Sequence, residues 1–263
     1  MRKENRRLLR RIFRLSALEL WRNKFGLILL FVIPVIFLIV AVLTSGSTKI
    51  LIKLFHMKST EKILLSQKEI SLVFMSAAVS GFLSAYYSVI LYQQNFDYFR
   101  FCVSLGMPPR VFAAARFSFF LAVIAVLAIL ITAVTALTIP ISRPFMGFLG
   151  FLLLCVIYGA YGGIVGVLSR NFMVAILLIV LLANLDAGWL QNPVFYTYAQ
   201  ESRFIRALPA FYPCQFIFSA IFSEHLNGWS ALLSLAYACG FLTILFVLVS
   251  LKFKGLYNEP NET

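Results

Sequence analysis

The sequence predicts an all-α polytopic membrane protein. It has six transmembrane helices, an N-terminal amphipathic interfacial helix, and external re-entrant helices between spans 5 and 6. Three observations lead there. The chain of 263 residues is 61% hydrophobic, with a mean hydropathy of +0.91, where a soluble domain is about half apolar. Charged residues make up 13%, about half the usual share, too few to cover a water-soluble fold of this size. Several stretches reach the ~20 apolar residues that cross a bilayer core, and they leave no room for a separate soluble domain. The whole of 1–263 is therefore read as a single transmembrane domain.

The elements follow in order. Residues 1–24 are strongly basic. Leu8, Ile12, Ser16 and Leu20 recur every four residues, as do Leu9, Phe13, Ala17 and Trp21, while Arg6, Arg7, Arg10, Arg11 and Arg14 lie mostly off that stripe. This spacing predicts a helix that lies in the headgroup layer with its basic face on anionic lipid. Span 1 is 25–44 and contains Pro34. Its apolar run is longer than the ~7–15 residues of a signal-peptide core, so it reads as a retained span. Residues 45–70 read as a polar loop with five lysines. Span 2 is 71–92, span 3 is 111–140, span 4 is 145–168, span 5 is 172–190 and span 6 is 228–251. "ISRP" (141–144) and "SRN" (169–171) are tight turns. Within 191–227, the run "ALPAFYPCQFIFSAIF" is short and broken by Pro209 and Pro213, which suits re-entrant or interfacial helices better than a span.

The net charge of +13 would point to nucleic acid in a soluble protein. Here nine of the 23 Lys and Arg fall in residues 1–24, beside a span, where basic residues hold the cytoplasmic side. With both termini cytoplasmic and Arg116 counted on that side, fifteen basic residues lie inside and eight outside. The lysines of the first external loop weaken the bias without reversing it. No nucleic-acid partner is expected. Cys102, Cys155, Cys214 and Cys239 form no CxxC, and His56 and His225 fall in external loops, so neither a disulfide framework nor a metal site is expected.

The chemistry of common membrane enzymes is missing. There is no GxxxxGK[ST] phosphate loop, no HExxH and no GxSxG. The spans hold no His, no Lys and one carboxylate, Asp186. An ionisable residue in a span is a functional candidate by default, although its place near the outer end of span 5 also suits a solvated helix end. No enzymatic activity is expected of this chain.

The segment between spans 2 and 3, "NFDYFRFCVSLGMPPR", carries its own boundary signals. Asn95 suits an N-cap and Asp97 the positive end of the helix dipole. Gly106 suits the C′ position, with Pro108 and Pro109 ending the helix. Phe96, Tyr98, Phe99 and Phe101 give it a large aromatic surface. That surface fits either a grip for another protein or an aromatic belt at the membrane interface.

From "ALELWRNKFGLILLFVIPVIFL" onward, the chain resembles a permease subunit of the type-2 ABC exporter family. Arg22-Asn23-Lys24 and Pro34 match the family's basic lead-in and the central proline of its first span. Asp97, Arg100 and "SLGMPPRVFAAARF" occupy the places of its charged stretch and Pro-containing turn before a long third span. "LPAFYPCQFIFSAIF" is similar to its external re-entrant helices. Aromatics replace the usual Gly-Thr and Leu-Arg around Phe99–Val103. The resemblance implies that 95–107 is a coupling helix seating on an ATPase through Asn95, Phe96, Asp97, Tyr98, Phe99, Arg100, Phe101, Cys102, Leu105 and Gly106. It implies two permease subunits, identical or not, and two ATPase subunits, with ATP and Mg bound by the partner ATPase and no cofactor in this chain. It places spans 2 and 5 along the substrate path, with Ser80, Ser84, Tyr87 and Asn184 as candidate lining residues. Membrane lipid is a further partner, and the expected location is the plasma membrane, in a bacterial setting. An ion-coupled carrier using Asp186, and a membrane immunity or scaffold protein that binds without turnover, are the alternatives.

Overall fold

The computed structural model describes residues 2–46, 48–56, 60–94, 109–169, 171–196 and 202–258. The chain runs α1 (Arg2–Arg22), α2 (Lys24–Thr44), a hairpin of β1 (Lys49–Phe55) and β2 (Thr60–Ser66), then α3 (Gln67–Val89), which continues into a π-helical turn, Ile90–Gln94. α4 (Pro109–Thr138) and α5 (Pro144–Leu168) follow. α6 (Phe172–Ala183) continues into a second π-helical turn, Asn184–Leu190. Two short helices, α7 (Arg203–Arg206) and α8 (Phe211–Phe222), precede α9 (Gly228–Asn258). Among the described residues, six helices are long and apolar enough to cross a membrane: 26–44, 67–93, 111–138, 144–168, 172–190 and 228–252. This is a multi-pass membrane architecture.

Local chemistry sets the helix ends. Asn23, the middle residue of the Arg-Asn-Lys lead-in, is the hinge between α1 and α2; its Oδ1 accepts from the Gly26 amide at 2.9 Å. Ser66 and Glu69 form a capping box, with the Ser66 amide donating to Glu69 Oε2 at 2.9 Å. That box starts α3 at Gln67, four residues before the expected Ser71. Pro109 is the first residue of α4 and Pro144 the first of α5. A missing amide costs nothing there because that donor has no partner inside a helix.

α3 is the axis of the bundle. Every residue from Ile70 to Val89 is buried, enclosed by α2, α4, α5 and α6. It is also the least hydropathic of the six spans, whereas span 1, the most hydropathic, is the least buried. Lipid is an apolar solvent, so only helices that face it need apolar surface all round. A helix surrounded by protein can carry small and hydroxyl residues. Ser80 and Ser84 return their hydroxyls to the Ala77 and Ser80 carbonyls at 2.8 and 2.7 Å, and Ser76 accepts from Thr135 of α4 at 3.1 Å.

Glycines set the closest contact. A Cβ at Gly162 of α5 would lie 2.3 Å from the Ala85 carbonyl oxygen and 2.5 Å from its Cα. Gly162 and Gly166, like Gly159 and Gly163, have the GxxxG spacing that lets apolar helices approach backbone to backbone.

The region read as a polar loop, 45–70, instead holds the antiparallel hairpin, pairing Leu51 with Leu64 and Lys53 with Lys62. Ile52, Leu54 and Leu65 turn inward and are buried. The regularly spaced lysines masked an alternation of Ile50, Ile52 and Leu54, which is a strand signal.

The bundle has two differentiated ends. At one, the hairpin lies against the 203–227 segment. Gln215 of α8 pairs with the open edge of β1, accepting from the Phe55 amide at 3.0 Å and donating to the Lys53 carbonyl at 3.2 Å. Asn227 Nδ2 donates to the Phe55 carbonyl at 2.8 Å, and the Arg206 guanidinium sits 4.1 Å above the Phe55 ring centroid. The "ISRP" turn closes the end of α8. The Arg143 amide donates to the Ala220 carbonyl at 3.1 Å and Ser142 Oγ to the Ile221 carbonyl at 2.7 Å, satisfying carbonyls that a helix terminus leaves open. The other end holds α1, the α5–α6 turn and the start of the last turns of α9. There Gln93 Nε2 reaches the Ser169 carbonyl at 3.0 Å and Lys252 Nζ the Val167 carbonyl at 2.7 Å.

Candidate functional site

The segment Asn95–Gly106, with all ten residues expected to contact an ATPase (Asn95, Phe96, Asp97, Tyr98, Phe99, Arg100, Phe101, Cys102, Leu105 and Gly106), lies outside the described residues. Its flanks are described. The π-helical turn Ile90–Gln94 leads into it, and α4 leaves it at Pro109. Gln93 fastens the first flank to the α5–α6 turn. Both flanks lie at the same end of the bundle as α1.

Of the four candidate path residues, Ser84 and Tyr87 line one cleft and Ser80 and Asn184 lie outside its lining. Ser80 is fully buried, with its hydroxyl bonded inside its own helix. Asn184 lies on the π-helical turn after α6, where Nδ2 donates to the Val180 carbonyl at 2.9 Å. Its Oδ1 is buried and accepts nothing from the described residues. Ser84 and Tyr87 do come together. They border a cleft of about 620 Å³ between α1, α3, α4 and the start of α6. Tyr87 Oη donates to the Gly26 carbonyl at 2.7 Å, tying α3 to the first turn of α2.

The cleft exists because α1 is held against α4 at discrete points. Ile12 and Ser16 are buried, and Phe13 meets Phe119 edge to face at 5.2 Å between centroids. Glu19 accepts from Arg116 Nη1 at 2.9 Å, and the Arg116 side chain is 5% exposed. By sequence alone Arg116 is one more basic residue near a span. Its function as the anchor of α1 depends on a partner 97 residues away, which no local pattern announces. Leu15, Leu18 and Trp21, by contrast, are exposed on the outer side of α1.

Asp186 is not a solvated helix end. It is 7% exposed, in the π-helical turn that follows α6. It receives the Tyr158 hydroxyl of α5, Gln191 Nε2 at 2.9 Å and the Ala210 amide at 3.1 Å. Ala210 is the N-cap residue of α8, so the carboxylate serves the positive end of that helix. Gln191 also donates to the Ile205 carbonyl at 3.2 Å. One buried carboxylate thus joins α5, the π-helical turn, α7 and α8. The π geometry inserts an extra residue into the turn, in the segment that brings Asp186 inward.

Cys155, Cys214 and Cys239 are free thiols. No group of three or more His, Cys, Asp and Glu side chains suited to a metal occurs among the described residues. No protein-family model matches the chain, and no curated protein is significantly similar to it.

Proposed function

We propose that this chain is the membrane-spanning permease subunit of an ATP-driven ABC exporter. It acts as a pair of permeases with two copies of a separate ATPase that binds ATP and Mg. The reading rests on the ordered resemblance of the Arg22-Asn23-Lys24 lead-in, the segment at 95–110 and the Pro-broken helices before the last span. One arrangement carries it furthest. The described flanks of the segment, at Gln94 and Pro109, lie at the end of the bundle that also bears α1, with its basic residues, and Lys252. The positive-inside rule assigns that end to the cytoplasm, where a soluble ATPase can grip it. α1 then lies in the cytoplasmic headgroup layer, and the hairpin with α7 and α8 forms an external cap. The location is the plasma membrane of a bacterium. Movement of the coupling segment would pass through Gln93 and Arg116 into α3 to α5. In this reading Ser84 and Tyr87 face the path, while Ser80 supports the axis of the bundle.

An ion-coupled carrier would need Asp186 to exchange protons or ions during transport. Three hydrogen-bond donors already converge on that carboxylate, which favours an anchoring role. The exporter reading is tested by purifying the chain from native membrane and identifying the ATPase that accompanies it. Alanine at Tyr98 with Phe101, or at Phe99 with Cys102, truncates one helix face each, since residues three apart share a face. One pair should weaken ATPase capture by a few kcal/mol, because buried aromatics dominate interfaces at ~2 kcal/mol or more each. Transport should fall with it. Wild-type capture and transport in both double variants would remove the coupling assignment.

A further inference from the structure

We propose that the cleft under α1 is a binding site for an anionic phospholipid drawn from the leaflet against which α1 lies. One acyl chain fills the interior and the phosphodiester rests on Arg22. The volume, about 620 Å³, lies within the roughly 300–1,000 Å³ of organic-ligand sites. Its lining is divided. Toward the bundle it is mainly apolar, with Ile90, Phe120, Val123 and Ile124 beside Tyr86, and with Ser84 and Tyr87 whose hydroxyls donate to the Ser80 and Gly26 carbonyls; toward the end of α1 it is charged and polar, with Glu19, Arg22 and Asn23. That division matches an amphiphile lying with its tail inward and its head at the rim.

The charge at the rim selects the head. Glu19 is neutralised by Arg116, and Asn23 is occupied as the cap of α2. Arg22 is exposed and makes no ion pair among the described residues. Arg14, two turns earlier on α1, is exposed and does not line the cleft. The Arg22 guanidinium offers forked donors to a phosphate, and basic pockets between membrane helices attract anionic headgroups. α1 meets α4 at Ile12, Phe13 and Glu19, and the cleft lies between these contacts and α3.

The site is independent of any ATPase and can be measured on the isolated chain. The full-length protein is reconstituted in phosphatidylcholine vesicles containing a minor fraction of phosphatidylglycerol, extracted in mild detergent, and analysed by native mass spectrometry for retained lipid. One phosphatidylglycerol per chain is expected, in preference to phosphatidylcholine. Arg22→Gln should lower that preference about tenfold, the equivalent of ~1.4 kcal/mol, while Arg14→Gln leaves it unchanged. Val123→Trp and Leu20→Trp fill the cleft from opposite walls, and whichever retains the wild-type unfolding profile should lose both lipids. The proposal is overturned if wild type retains no lipid, if Arg14→Gln matches Arg22→Gln, or if a folded filling variant retains lipid as wild type does. The cleft shares Ser84 and Tyr87 with the proposed path, but lipid retention is read without nucleotide or ATPase, so its failure leaves the ATPase-capture test of the exporter reading standing.

Discussion

Asp186 shows how a single residue can look ambiguous in sequence and gain a defined task in the fold. Its carboxylate accepts from Tyr158, Gln191 and the Ala210 amide, and each donor would be stranded in a buried site if the acceptor were removed. Asp186→Ala should therefore destabilise the protein strongly, at ~1–3 kcal/mol for each buried donor left unmatched. Asp186→Asn retains one acceptor oxygen, and the Gln191 amide can rotate to offer its own oxygen to the new NH₂ group. It should cost about 1 kcal/mol. Thermal unfolding of the three proteins in detergent tests the order wild type, Asn, Ala. Equal losses for Asn and Ala would mean that the carboxylate anchors nothing. ATP-driven transport by the Asn variant should persist, and transport that collapses with the proton gradient at constant ATP would support a carrier instead.

Two contacts between elements carry distinct consequences. The α3–α5 seam depends on the missing side chain at Gly162, since a Cβ there would meet the Ala85 backbone at 2.3 Å. Backbone cannot rotate away as a flexible side chain can. Gly162→Ala should cost ~1–3 kcal/mol through overpacking, and Gly162→Leu should prevent assembly of the bundle; unfolding temperature and monodispersity report both. At the other end, Gln215 supplies two hydrogen bonds to the edge of β1. Gln215→Ala should release the hairpin while leaving the spans intact, losing ~0.5–1.5 kcal/mol per bond. Hydrogen exchange should then accelerate at residues 49–55 and not at residues 70–89. Unchanged exchange in the hairpin would place its anchor at Asn227 and Arg206 instead.

Across the whole molecule, the hairpin, the Ser142–Arg143 turn and α7–α8 gather at one end, while α1, Gln93, Ser169 and Lys252 gather at the other. Six spans with even connectivity require that partition. The expected orientation makes the first end external. Single cysteines introduced at Lys58 and at Gln94 in a Cys-free background test it with an impermeant thiol reagent. Labelling at 58 and not at 94 is the expected pattern, and the reverse would invert the topology and remove the cytoplasmic grip proposed for 95–107.

The sequence by itself determined the number of spans and, within a few residues, their limits. Apolar length is a local property, and a bilayer reads it directly. It also put the change from α1 to the first span at residues 24–25, within two residues of the observed cap at Asn23, and short helices around Pro209 and Pro213, because prolines act within a turn or two of themselves. The hairpin and the capping box at Ser66 and Glu69 were legible as the alternation of Ile50, Ile52 and Leu54 and as an S-x-x-E spacing, but the charge pattern of the five lysines drew the reading toward a loop. The glycines of α5 were legible as GxxxG, without naming Ala85 as the surface they meet. What only the tertiary structure decided are the pairings over long separations: Glu19 with Arg116, Gln215 with β1, Asp186 with the start of α8, and the enclosure of α3. These depend on which helix faces protein and which faces lipid. In a chain where nearly every helix is apolar, hydropathy alone does not distinguish the two, because packing in a membrane is decided by shape and by a few polar contacts rather than by exclusion from water.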